Sequence, residues 1–582
     1  MAEDDAYPGA RGDDMTGRNP DEDESWDAPG VLATDRRIDV DRVLPSHTDA
    51  VVRDASTVVG GPVGRHAAIG RSRTWTPLRI LFALALCALA LGWFGKAGCL
   101  QQAPADGNSA AGTALRLDWD NQRQYTNLCY SDVIGLFGAE KLDEGAFPYR
   151  TYWFEEGADG RQVKRYMEYP VVTGMYMYGV AWVAQQWDSA HQKWGVPGAL
   201  EVVLFFDLAA LGLALFWLVT IWATSRTART RVWATWMAAL SPLVIVHIFT
   251  NFDAIAMAMV ALALLYWARR KPWLAGVFIG LGTAAKLYPA LLLVVLLILC
   301  LRAGKVREFA QAASAAALVW VAVNLPILIA YPNGWWEFFR YNQGRAAERD
   351  SVYRIISDAA GFTWNIDVLN ALSLGLLIAV IVGIAFIGLR APQRPRVAQM
   401  AFLMVAGFLL VNKVWSPQYS LWLVPLAVLA IPHTRLLFAW MFVDALVWVP
   451  RMALYLDADR RWLPEQWFTV AIVLRALMVI VLCVVVVWQI WHPEDDLYRR
   501  RPDEPGELLD DPAGGVLDGA PDRIAIPGRR ASDRARDTPP GTGPVEDPQR
   551  VRLRFSPWRA PTRGGPGRDG DDNVGCATPA TT

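Results

Sequence analysis

Histidine and cysteine are scarce in this chain, with six of each among 582 residues. The cysteines follow no metal-ligand spacing and form no cluster with histidine, so nothing argues for a metal centre. A phosphate-cradling glycine-rich loop, a His-Glu-x-x-His pair and a nucleophile elbow are all missing, which removes the common catalytic devices of soluble enzymes. No cofactor is called for. The formal net charge of −1 averages unlike parts of the chain and points to no nucleic-acid partner. A cleavable signal peptide is lacking too. The first seventy residues are polar, so the first apolar run, 77–93, is expected to be an uncleaved signal anchor.

What is present is a long apolar body between two polar ends. Residues 1–70 and 493–582 are rich in Asp, Arg, Gly and Pro. They cannot bury enough apolar surface to offset chain entropy and are expected to be disordered cytoplasmic tails. Residues 75–492 carry repeated Leu/Val/Ala/Ile/Trp runs, many of them close to the ~20 residues that cross a bilayer. The expected fold class is an all-α polytopic membrane protein.

Short loops rich in Arg and Lys mark the cytoplasmic side. Such clusters are Arg71 and Arg73, Arg226 to Arg231, Arg269 to Lys271, Arg302 to Arg307, Arg390 to Arg396, and Arg499 to Arg501. The apolar stretch between Lys271 and Arg302 has cytoplasmic charges at both ends. It must therefore go out and return, turning near Lys286-Leu287-Tyr288-Pro289. Proline suits the first turn of the returning helix. The run 169–187 resembles a span, but it holds several Tyr, Gln and Gly residues and would invert every later loop, so it reads as an interfacial or re-entrant helix. The result is about twelve spans with both tails cytoplasmic.

On this topology the polar insertion 99–197 is an outer loop, too polar for lipid and too long for a connector. Asp132, Glu168, Asp253, Lys286, Arg345 and Gln418 fall on the same outer face. Cys99 and Cys129 both lie in the insertion, where an oxidising compartment would allow a disulfide. Cys87, Cys300 and Cys483 sit in apolar runs as packing residues, and Cys576 is in the tail. Transfer of a sugar from a lipid-linked phosphate needs a general base for the acceptor hydroxyl, cations for the departing phosphate and an apolar groove for the lipid. Such a face supplies all three. The rival class is a lipid-linked-sugar transporter or flippase, which would place its polar groups near the midplane on broken helices with internal repeats. No convincing repeat is visible.

Asp132 stands in Tyr130-Ser131-Asp132-Val133, followed by Gly145…Pro148-Tyr149 and Glu168-Tyr169-Pro170. Ser241-Pro242, Thr250-Asn251-Phe252-Asp253, the run from Gly280 to Pro289 and Ser416-Pro417-Gln418-Tyr419 come later. In this order the motifs resemble the GT-C membrane glycosyltransferases, in particular glycosyltransferase family 87, over about 75–490. The resemblance implies a polyprenyl-phosphate sugar donor, usually mannose, used outside the cytoplasmic membrane with inversion. It also implies a glycolipid or polysaccharide acceptor and an acidic catalytic residue in the first outer loop. Asp132 is then the expected base, with Asp118 and Asp120 as nearby alternatives. Lys286 and Arg345 are expected to bind the donor phosphate, and Glu168, Asn251, Asp253, Gln418 and Tyr149 to contact substrate. Some relatives carry a histidine where this chain has Gln418, which can position a group but not act as acid or base. Asp207, Asp444 and Arg475 lie inside apolar runs, where charge is costly, and an Asp444–Arg475 pair would account for two of them.

Overall fold

The structure is a computed structural model that describes residues 76–105, 115–156, 160–500 and 508–523. The tail assigned to 1–70 lies outside these residues, as do Arg71, Arg73, Arg501 and Cys576. The described residues are mostly helical, at 71%, and the only strands among them form two short antiparallel pairs.

Helix α1, Pro77–Ala97, opens with Thr76 as its cap and proline in its first turn. The insertion follows. Strands β1 (Gln102–Pro104) and β2 (Leu115–Leu117) pair, then come α2 (Arg123–Thr126) and α3 (Asp132–Ala139). Strands β3 (Trp153–Glu156) and β4 (Gln162–Arg165) form a second pair before α4, Val171–Trp194. The structure joins Cys99 to Cys129, with their Cα atoms 5.6 Å apart. Helix α4 has 24 residues, yet it is not among the helices apolar enough to cross a membrane. Gln185, Gln186, Asp188 and Gln192 interrupt it.

Helix α5 spans Glu201–Ala228. The run expected as one span over 232–249 is broken into a 3-10 turn (Arg229–Thr235), α6 (Trp236–Ala239) and α7 (Pro242–His247). Pro242 has no N–H to continue the preceding helix, and Leu240 leaves helical geometry just before it. Next come α8 (Ala254–Ala268), α9 (Pro272–Ala285) and α10 (Leu291–Ala303). The turn between α9 and α10 falls at Lys286–Pro289, where the sequence places it. Gly276 and Gly280, one turn apart on α9, let it press against α11 (Val306–Ala330) at Ala312 and Ala316, where a Cβ would meet backbone. The loop expected over 331–363 contains two helices, α12 (Pro332–Gly344) and α13 (Val352–Ala360). The body closes with α14 (Ile366–Arg390), α15 (Val397–Val411), α16 (Leu423–Ala430), α17 (Thr434–Leu446), α18 (Trp448–Leu454) and α19 (Gln466–Trp491).

Among the described residues, six helices are long and apolar enough to cross a membrane, and five shorter apolar helices accompany them. The longer helices keep bare apolar faces. On α14, Leu374, Ile378 and Val382, spaced by four residues, are each more than half exposed. Water would leave such a stripe uncovered, and lipid covers it.

The basic loops meet at one end of the body, and they bind chain beyond the expected boundary at 492. Residues 493–500 and 508–523 pack there. Arg396 bonds Asp496 at 2.7 Å, Arg302 and Arg394 hold Asp522 at 2.7 and 2.8 Å, and Arg394 holds Asp510 at 2.5 Å. The polar composition that reads as a tail is what satisfies these arginines. Of the cysteines in apolar runs, Cys300 is buried, Cys483 half-buried and Cys87 exposed.

Candidate functional site

The opposite ends of these helices surround a cavity of about 650 Å³, and Asp132, Glu168, Asn251, Lys286, Arg345 and Gln418 all line it. Local structure fixes Asp132. The Ser131 hydroxyl donates to the Phe249 carbonyl at 2.6 Å and accepts from the Val133 amide, capping α3. The Asp132 amide donates to the Thr250 carbonyl at 2.9 Å. The start of α3 is thus clamped to the turn before Asn251. The Asp132 carboxylate then accepts from Asn251 Nδ2 at 3.0 Å and Gln418 Nε2 at 3.2 Å. Burial pushes its pKa above the ordinary carboxylate range, against the pull of Tyr130, Arg451, Asn251 and Lys286.

Lys286 leaves the end of α9 in extended geometry. Its Nζ donates to Asp253 Oδ1 at 2.5 Å and lies 4.5 Å from the centre of the Tyr419 ring. Burial works to lower its pKa, but the Asp253 carboxylate prevails and keeps it above the usual lysine value, so it is a cation at neutral pH. Arg345 bonds Glu348 at 2.6 Å, and Lys413 Nζ donates to the Arg345 carbonyl at 2.7 Å. Glu168 is raised by burial, opposed by Arg345 and a hydrogen bond from Tyr341.

Asp253 and Tyr149 do not line this cavity. Asp253 is 2% exposed and stands behind Lys286. Tyr149, 2% exposed, donates to the Tyr169 carbonyl at 2.9 Å and borders a smaller apolar hollow instead. Each reaches the cavity only through the residue it holds. Asp118 and Asp120 also lie off the cavity, paired with Arg123 and Arg116. Asp444 and Arg475 are both fully buried but do not bond each other. Asp444 accepts from Trp440, and Arg475 donates to the carbonyls of Asp350 and Trp415. Asp207 accepts from Trp93 at 2.9 Å.

Sequence reasoning missed Lys96, Tyr130, Tyr341, Arg451 and Tyr455. Lys96 is 2% exposed and donates to the Tyr130 carbonyl at 2.8 Å, beneath Asp132. A lone lysine closing an apolar run was its signal. Arg451 pairs with Asp350 and lies 3.6 Å from Glu348. Among the described residues, no group of His, Cys, Asp and Glu is arranged to hold a metal ion.

Three carboxylates, four basic side chains and several aromatic rings share one cavity at an end of an apolar helical body. The family model of glycosyltransferase family 87, a family of GT-C-type membrane glycosyltransferases, matches residues 165–412, less than half of the chain. The match is narrower than the motif order and contains Glu168, Asn251, Asp253, Lys286 and Arg345, but not Asp132, Tyr149 or Gln418. No curated protein matches the chain.

Proposed function

We propose that this membrane glycosyltransferase moves mannose from a polyprenyl-phosphate donor to a glycolipid or polysaccharide hydroxyl on the outer face of the cytoplasmic membrane. The observation that carries this reading is the presence of Asp132 and Lys286 in one cavity, the first with a raised pKa and the second held cationic. In the reaction, the acceptor oxygen bonds to the anomeric carbon as the bond from that carbon to the phosphate oxygen breaks. The proton passes to Asp132, and polyprenyl phosphate leaves with its new charge against Lys286 and Arg345. Attack opposite the leaving group inverts the anomeric centre. Asn251 and Gln418 aim the carboxylate. Glu168 contacts the sugar, Asp253 holds Lys286 in place, and Tyr149 steadies Tyr169 beside Asn251.

The helix lengths support a membrane-borne donor. Helix α8 has 15 residues and α9 has 14. At 1.5 Å per residue each rises only about 22 Å, against a hydrocarbon core of about 30 Å. With the basic loops on the cytoplasmic side, the cavity floor lies within the outer leaflet, at a depth a lipid-linked phosphate can reach. Counting the broken stretch 229–247 as a crossing gives about twelve crossings with both termini inside.

The test uses membranes carrying the full chain or an Asp132→Asn variant, supplied with labelled polyprenyl-phosphate mannose. Label should enter glycolipid or polysaccharide with the wild type and not with the variant. Equal incorporation by both would remove Asp132 as base, and movement of intact donor across the bilayer without transfer would replace the enzyme with a transporter.

A further inference from the structure

A second, smaller cavity of about 180 Å³ opens where α13, α18 and the start of α19 meet. Its floor is apolar, formed by Ile355 of α13, Leu454 of α18, and Phe468 and Ile472 of α19. Its rim carries three arginines, Arg349, Arg354 and Arg461. Leu454, Phe468 and Ile472 are buried, whereas all three arginines are exposed. The Arg349 guanidinium lies 5.8 Å from the centre of the Tyr455 ring, and Tyr455 lines the larger cavity. The two cavities therefore stand side by side at one end of the body.

The carboxylates at the rim do not cancel its charge. Arg354 pairs with Asp358 at 2.8 Å and Arg461 with Glu465 at 3.7 Å, each four residues along the chain. In both pairs the carboxylate is the more exposed partner. Such open pairs are weak and screened by salt, so the guanidinium groups stay available to a second anion. Among the described residues Arg349 makes no ion pair. Three arginines against two carboxylates leave one positive charge at the mouth. The position is that of a bilayer surface. Helix α19 is long and apolar enough to cross a membrane, and the cavity lies at its first two turns. Trp462 and Trp467, each more than half exposed, stand beside the rim, as aromatic residues do at headgroup level. From Thr469 at the cavity, Val473 and Leu477 follow at steps of four on the same side of α19, and both are bare.

We infer that this cavity is a headgroup site for an anionic glycerophospholipid of the leaflet at that end of the body. The phosphodiester sits among Arg349, Arg354 and Arg461, whose guanidinium groups give it charge-assisted hydrogen bonds. An acyl chain runs down α19 over Val473 and Leu477. The small volume suits this class. Pockets that enclose a whole small molecule typically hold about 300–1,000 Å³. Here only the phosphate and its glycerol need cover, and the rest of the lipid stays in the bilayer. A soluble anion would gain nothing from the apolar floor or from the bare strip below it. A zwitterionic lipid would bring its own ammonium group toward the arginines. Bound lipid would tie α13 and the loop 455–465 to the last membrane helix. The inference requires a membrane-spanning body and does not depend on the transferase reading.

The test uses the purified full chain in detergent micelles, titrated with phosphatidylglycerol or with phosphatidylcholine of the same acyl chains. Bound lipid is counted by native mass spectrometry. Phosphatidylglycerol should bind the wild type on the order of tenfold more tightly than phosphatidylcholine. Arg349→Gln combined with Arg461→Gln should abolish that preference. Arg150→Gln combined with Arg161→Gln, which takes the same charge from exposed positions in the polar insertion, should leave it intact. Equal preference in the wild type and the Arg349 and Arg461 variant, or an equal loss in the control, would overturn the site. A thermal melt gives a second readout: phosphatidylglycerol should raise the Tm of the wild type and not that of the variant. If inorganic phosphate raises it as much, the site takes a soluble anion and the lipid assignment falls. Should the double arginine variant fail to fold, Thr469→Trp, which fills the mouth from an exposed position, must abolish the preference in its place, and a preference that survives it would overturn the site.

Discussion

The two polar ends of the helical body handle charge in opposite ways. At the basic end, Arg302, Arg394, Arg396 and Arg499 are at most 4% exposed, and carboxylates from 496–522 or main-chain carbonyls meet them. At the other end, Asp132 and Lys286 are half-buried around about 650 Å³ of open space, and the partners of Asp132 are neutral amides and a phenol. Closed pairs hold the chain together. Charges left facing a cavity under a desolvating wall keep perturbed proton affinities, and this is the condition for acid–base work. Substitutions at the two ends should therefore separate activity from stability.

Asp132→Asn should give the largest effect, a loss of about a thousandfold in transfer rate, as expected for removal of a general base. It should not cost stability. A raised pKa means that the folded state binds the proton more tightly than the unfolded state, so the ionised side chain weakens folding at neutral pH. The neutral amide removes that burden. A thermal melt of the purified variant should match or exceed wild type, and a large drop would mark Asp132 as structural.

The next effect is in the pH profile. The base works only when ionised, so kcat/KM should fall as pH drops through the raised Asp132 pKa, by about tenfold per unit on the acid side. The midpoint should lie above the ordinary carboxylate range. A profile flat down to that range would show that the wall does not desolvate Asp132.

How much of this contrast is visible in the sequence depends on distance along the chain. Lys286 at a turn follows from an apolar stretch bounded by Lys271 and Arg302, with Pro289 to start the return. Asp132 follows from its place in a polar insertion and from motif order. Arg451 and Tyr455 carry no such local mark, because α18 meets the first loop across more than three hundred residues, as in the Trp448–Leu128 bond. The fit between Asp522 and two arginines also spans a long stretch of chain, 220 residues to Arg302 and 128 to Arg394. Composition alone assigns residues 508–523 to a tail, since it registers their lack of apolar residues but not the buried guanidinium groups that await them. Asp253 and Tyr149 show a finer limit: motif order selects the right neighbourhood but cannot tell a wall residue from the one behind it.

Arg396→Met tests the basic end. It leaves Asp496, fully buried, with Gln399 and the Tyr498 amide at 3.1 Å and Arg499 at 3.6 Å as its partners. Removing one partner of a buried pair costs about 3–5 kcal/mol, so the melting temperature should fall clearly. The protein that remains folded should keep its wild-type kcat and acceptor KM. A change in either would mean that the two ends communicate and that the contrast between them is too simple.

The smallest effect should come from replacing both Cys99 and Cys129 with serine. At the basic end, ion pairs fix the loops. At the cavity end the disulfide fixes a segment of thirty residues that ends just before Tyr130. Loss of such a crosslink typically costs about 2–4 kcal/mol through the freedom it returns to the unfolded chain. Unlike Arg396→Met, however, it should also touch function. The segment that regains mobility carries Tyr125 and leads into Tyr130 and Asp132, whereas Lys286 and Asp253 are held by α8 and α9. The acceptor KM should therefore rise a few-fold while the donor KM stays constant. An equal rise in both would show that the first loop positions the phosphate side as well, and that the cavity moves as one unit rather than as a rigid donor wall facing a crosslinked acceptor wall.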